Sequence, residues 1–222
     1  MANREVEVRQ PQPELVQLGV PDVWIKRTAQ GRISAVRADM SLREQQGEFC
    51  VIKGKPMITA DGYFRLNQVA SLAVITPDSI SIPDTSEGVR TVPNPCPVID
   101  KASGTQKGVW AKKLAIGYSP IGSLVVSSST LFYDFSLYFI ADLQAKIRKN
   151  CEAGRLCRES QLTNDEKDNG IFMRIEGDLG LWANTKHPDI LDAISTWIQN
   201  KQFGERKAQT ICERNALKRH PA

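Results

Sequence analysis

Two extended runs, GVWAKKLAIGYS from Gly108 and SLVVSSSTLFY from Ser123, constrain this chain most, because a turn of Ser119, Pro120, Ile121 and Gly122 is all that joins them. So short a connection between strand-like runs makes them antiparallel neighbours. Alternation places Trp110, Lys112, Leu114 and Ile116 on one face of the first strand and Val109, Ala111, Lys113, Ala115 and Gly117 on the other. The second face is small apart from its single cation, and could admit another backbone closely. Asp134 then opens a helix whose Phe135, Tyr138, Phe139, Leu143 and Ile147 follow helical spacing. It closes in Lys146, Arg148 and Lys149, the charge sign favoured at a helix C-terminus.

Other elements follow the same logic. EFCVIKGKPMIT, residues 48–59, alternates around a Lys-Gly-Lys-Pro turn and reads as a hairpin. Asp61 is expected to cap the next helix, GYFRLNQVASL, with Tyr63, Leu66, Val69 and Ala70 as its inward stripe. ITPDSISI is extended, and the proline-rich stretch 83–107 reads as an inserted loop or long hairpin tip. The polar stretch 150–170 reads as a second, mobile loop, IFMRIEG as a strand, and PDILDAISTWIQN as an amphipathic helix with Pro188 in its first turn. The class is α+β, an antiparallel sheet packed with helices.

A length of 222 residues with 41% hydrophobic content supports one substantial core, so residues 23–222 are expected to form a single domain. Residues 1–22, with Pro11, Pro13 and Pro21, read as a flexible arm. The leader lacks the pattern of a secretory signal, and VASLAVI at 69–75 is far too short to cross a bilayer. Five cysteines without a CxxC pair suggest a reducing compartment, hence a cytoplasmic protein with no membrane partner.

Enzymatic signatures are missing. No GxxxxGKS, GxGxxG, GxSxG or HExxH occurs, so no cofactor is expected and the chain does not read as an enzyme. Cys151, Cys157, His187 and His220 match no zinc spacing. Asp165, Glu166 and Asp168 read as solvating charges. Glu176 and Asp178, either side of Gly177, offer the alternative of a metal-dependent nuclease without a third acid at a diagnostic interval.

The net charge of +4 is modest, so affinity for a polyanion must come from clustering. The last twenty residues, FGERKAQTICERNALKRHPA, supply it. At about 100° per residue Lys207, Arg214 and Lys218 fall within about 40° of one another, flanked by Arg206, with Arg219 in the last turn. Ala208, Ile211, Cys212, Asn215 and Ala216 occupy the neighbouring arc, so one face can dock on a core while the next presents charge.

FCVIKGKPMITADGYFRLNQVASLAVI resembles the opening of the single-strand annealing proteins, in which a Cys-aromatic-Ile-x-Gly strand turns into a helix. KAQTICERNALKR resembles the second hallmark of that superfamily, an Ala-x-Thr helix start with a basic, Ala-Leu-basic finish. The likeness covers about residues 43–80 and 204–219 and extends more loosely to the phage annealases of the Red beta, RecT, Erf and Sak groups. Asn215 departs from it, standing where many relatives carry a second basic residue. The resemblance implies nucleotide-independent binding and annealing of single-stranded DNA in homologous recombination, by a ring or filament of protomers with the strand between sheet and closing helix. A phage or prophage source would suit it, with an exonuclease or single-strand-binding protein as partner. It carries over Arg43, Arg214 and Lys218 as strand contacts. Charge and face add Lys53, Lys55, Lys112 and Lys113, and the basic run adds Arg206, Lys207 and Arg219. The alternative is a nucleic-acid-binding accessory protein that never anneals. Tyr63 and Phe64 could stack on bases, although Tyr63 lies on the apolar stripe.

Overall fold

The computed structural model describes residues 23–27, 31–38, 40–52, 54–84 and 88–222; the arm expected over 1–22 lies outside them, as does Lys53. In chain order the elements are β1 (Val23–Arg27), β2 (Ile33–Arg37), β3 (Phe49–Ile52), β4 (Lys55–Ile58), α1 (Ala60–Ala70), β5 (Ala73–Ile75), β6 (Ser79–Asp84), β7 (Gly88–Pro93) and β8 (Cys96–Ile99). There follow β9 (Gln106–Tyr118), β10 (Leu124–Asp134), α2 (Phe135–Lys149), β11 (Gly154–Arg158), α3 (Asn164–Asn169), β12 (Gly170–Glu176), β13 (Leu179–Asn184), α4 (Pro188–Gln202) and α5 (Gly204–Arg219). The class is α+β, with antiparallel sheets packed with helices. Strands pair in the order β10–β9–β5, with β8 also on β9, and in the order β11–β13–β12. β1–β2, β3–β4 and β6–β7 form two-stranded ribbons.

The sequence reads as one domain, whereas the fold divides the chain into two compact units built from discontinuous segments. The first comprises the described residues up to Cys96, Trp110–Leu131 and Ala208–Ala222; the second comprises Pro97–Val109 and Phe132–Lys207.

In the first unit the β3–β4 hairpin forms as its turn predicts, with Phe49 opposite Ile58. The cap of α1 falls two residues before the expected Asp61. Thr59 Oγ1 accepts from the Gly62 N–H at 3.2 Å, and Asp61 sits in the first turn, where its charge suits the helix dipole. Gly62 is required, because a Cβ there would collide with the Glu48 carbonyl oxygen. Tyr63, Phe64 and Ala70 pack on a core of Leu72, Ala115, Ala216 and Leu217. Leu72 is fixed by Asn67, which accepts from its N–H at 2.9 Å and donates to its carbonyl at 3.1 Å.

Of the two readings of 83–107, loop or hairpin tip, the described residues follow the hairpin. β6 and β7 form a ribbon, Ser79 to Pro93 and Asp84 to Gly88 in register. A two-stranded ribbon is all edge, so Pro83 and Pro93 need not break it. Asn94 ties this segment down, accepting from the Lys112 N–H at 2.9 Å and donating to the Pro77 carbonyl at 2.7 Å.

In the second unit Asp134 caps α2 as expected, accepting from the N–H groups of Ser136 and Leu137. Phe139, Leu143, Ala153, Leu181, Ala183, Ile190 and Ala193 form its core, with Trp197 stacked on Phe139 at 4.6 Å between centroids. The stretch 150–170 is not a loop either. It holds β11 and α3, whose charged residues occupy the exposed side while Ala153 and Cys157 face inward. β13, which the sequence reading passes over, is the centre of its sheet.

A capping box, legible afterwards as Thr163-Asn-Asp-Glu166, starts α3. The Thr163 N–H donates to Glu166, and Arg155 grips the same carboxylate through Nε at 3.0 Å and Nη2 at 3.1 Å. These contacts, led by the Thr163 N–H, hold the Glu166 carboxyl below its ordinary range. The folded form binds that proton more weakly than the unfolded chain. The stabilisation is therefore complete above the unfolded pKa of about 4.3 and is lost as pH falls through the lower folded value. Glu166→Gln is expected to lower the melting temperature at neutral pH, with the gap to wild type closing below about pH 4. Thermal unfolding at both pH values checks this, and a gap independent of pH would contradict it.

Candidate nucleic-acid interface

The part of α5 within the first unit is laid on the sheet by its smallest residues. Ala208, Cys212 and Ala216, spaced i, i+4 and i+8, are fully buried, as are Ala111 and Ala115 of β9. The backbones come close enough for side chains to bond across. Ser127 Oγ donates to the Ala216 carbonyl at 2.7 Å, and Cys212 Sγ donates to the Ala111 carbonyl at 3.2 Å. The small face of β9 thus admits a backbone, but it is that of the chain's own helix. Any strand must bind beside α5 rather than on this face.

The C-terminus of α5 is sealed by side chains. Arg219 Nη1 donates to the Ser128 carbonyl at 2.8 Å. His220 accepts through Nδ1 from the Ala222 N–H, which leaves its Nε2–H to donate to the Val125 carbonyl at 3.2 Å. Burial pushes the Cys212 thiol up, against a bond with Ser129 and the opposing charges of Lys113 and Arg219. Those two cations therefore stand near the buried thiol, on the sheet side of the helix.

Arg214 and Lys218 lie about 40° apart and about 120–160° round the helix from Cys212. They meet α1 instead. Burial raises the Tyr63 phenol while the Arg214 guanidinium opposes the rise. Lys218 and Tyr63 line one cavity of about 150 Å³, together with Trp24, Leu66, Asn67 and Leu217. Among the described residues no carboxylate pairs with Arg214, Lys218 or Arg219 at ion-pair distance.

The remaining sequence candidates are distributed elsewhere. Lys113 Nζ donates to Thr76 Oγ1 at 2.6 Å. Lys112 points to the opposite face of β9, and its main chain is clasped by Asn94. Arg43 is exposed and tied to Glu48, whose Oε2 accepts from its N–H at 2.7 Å and whose Oε1 lies 3.7 Å from Arg65 Nε. Arg65 projects about 160° away from Tyr63 around α1, so this cluster is not beside Arg214. Lys55 is exposed on β4. Arg206 and Lys207 belong to the second unit, where Lys207 Nζ donates to the buried Asn200 at 2.6 Å. The structure brings together Arg214 and Lys218 beside Tyr63, and separately Lys113 and Arg219 on the sheet side of α5. Arg65 escaped sequence reasoning because one arginine on a polar helix face carries no signal.

Structural roles account for both histidines. His187 caps α4 by accepting from the Asp189 N–H at 3.2 Å. Glu176 and Asp178 flank an exposed turn at Gly177, whose positive φ of 58° suits glycine. Among the described residues no three His, Cys, Asp or Glu side chains form a group able to hold a metal ion, and no helix is long and apolar enough to cross a membrane.

The arrangement defines a basic helix seated on an antiparallel sheet beside an aromatic-lined cavity. No protein family, curated protein or solved structure matches this chain.

Proposed function

We propose that this protein binds single-stranded DNA through its phosphates and anneals complementary strands without nucleotide or metal, acting as a homo-oligomer. The observation that carries the reading is the separation of roles on α5. Ala208, Cys212 and Ala216 are spent on the sheet, while Arg214 and Lys218, without ion-pair partners among the described residues, stand beside Tyr63. Such a row can hold a strand by its phosphates and leave base edges free to pair. Lys113 and Arg219 add positive charge on the sheet side of the helix, away from this row. The resemblance of residues 43–80 and 204–219 to the annealing proteins supports the same reading. Oligomerisation has a route in β10 and β5, which end this sheet order among the described residues.

Labelled complementary oligonucleotides mixed with the protein, without nucleotide or metal, test the proposal. Duplex formation is expected to accelerate over a protein-free control. Strand binding without acceleration would support the accessory role instead, and metal-dependent strand loss a nuclease.

The log of the affinity is expected to fall linearly with the log of salt concentration, by about 0.7 per phosphate contacted, with little preference among sequences. Affinity insensitive to salt would remove the phosphate-binding proposal. Light scattering with and without DNA checks the assembly, and a strict monomer in both conditions would count against annealing.

A further inference from the structure

We infer that the cavity between α1, β1 and the end of α5 is a slot for one nucleobase of the bound strand, with Tyr63 and Trp24 supplying ring contacts and Lys218 the adjacent phosphate contact; this rests on the strand-binding reading above. Its volume of about 150 Å³ is well below the roughly 300–1,000 Å³ of sites for drug-sized ligands, so it takes a single ring system. The walls are apolar or aromatic: Trp24, Tyr63, Leu66 and Leu217. Two of the polar side chains on the wall, Asn67 and His220, are already engaged. Asn67 spends its amide on the N–H and carbonyl of Leu72, and His220 spends both ring nitrogens on Ala222 and Val125. What stays available is the Tyr63 ring and, at an exposed position, the Lys218 ammonium. A flat ring beside a cation fits a base held by stacking and indifferent to its identity.

The slot differs from phosphate binding in what it requires of the strand. A normal oligonucleotide and an abasic strand of equal length carry the same phosphates, but only the first can fill the slot. The wild-type protein is expected to bind the base-bearing strand at least about fivefold more tightly, the lower end of one stacked base. Tyr63→Leu and Trp24→Leu should each reduce that preference while leaving the salt slope unchanged. Tyr63→Phe, which keeps the ring, should retain it. Lys218→Ala should weaken both strands together and make the slope shallower by about 0.7 unit.

Equal binding of both strands by the wild type, or a preference surviving intact in both leucine variants, would overturn the slot and leave the phosphate reading standing. Binding of neither strand would remove both. Should a leucine variant fail to fold by circular dichroism, photocrosslinking of an iodouracil-bearing strand to the wild-type protein decides the matter. Adducts are expected on Trp24 or Tyr63, and adducts confined to other residues would overturn the slot.

Discussion

Ala216→Asp is expected to unfold the first unit, because a carboxylate buried without a partner costs about 3–5 kcal/mol. Ala216 is fully buried against Ala115, Leu72 and Leu217, and its carbonyl accepts the Ser127 hydroxyl at 2.7 Å. That penalty is a large share of the ~5–15 kcal/mol that holds a domain folded. The same substitution at Ile211, which is only half-buried, should cost far less, because water reaches the new charge. Denaturant midpoints of the two variants measure the difference. If Ala216→Asp kept the wild-type midpoint, α5 would not be seated on β9 and β10 as described.

Arg214→Ala combined with Lys218→Ala is expected to leave the fold intact and weaken strand binding severely. Alanine is the best helix former, Lys218 is exposed, and neither side chain belongs to the core of the unit. Two lost phosphate contacts should make the salt dependence shallower by about 1.4 units, at ~0.7 per contact on a single strand. Loss of affinity without a change of slope would mean that the variants act through the helix and not through charge. A double variant that bound and annealed like wild type would make the basic row solvated surface, and the strand path would have to lie elsewhere.

Much of the local architecture was legible in the chain because it depends on neighbours in sequence. The turn at 119–122, the Asp134 cap, the basic last turn of α2 and Pro188 in the first turn of α4 formed where their residues predicted. The errors came where a pattern was weak or masked by polarity. In 150–170 a charged exposed side hid β11 and α3, although the Thr163–Glu166 spacing is a capping signal. In 83–107 the prolines left an inserted loop and a long hairpin tip both open, and the β6–β7 ribbon, made only of edges that tolerate proline, is of the hairpin kind.

For the candidate site, sequence alone determined that α5 is basic and that Arg214 and Lys218 share a side, since helical periodicity follows from residue order. It also determined that one face of β9 is small. Tertiary structure decided what that face is for. Only packing shows that Ala111 and Ala115 receive Cys212 and Ala216, which turns Arg214 and Lys218 toward Tyr63 and the Trp24 cavity. Packing likewise separates Arg43, tied to Glu48, from that side and gives Lys207 to Asn200. Charge and periodicity are properties of residues in order, whereas the partner of a side chain is set by segments distant in the chain, and no local pattern encodes that meeting.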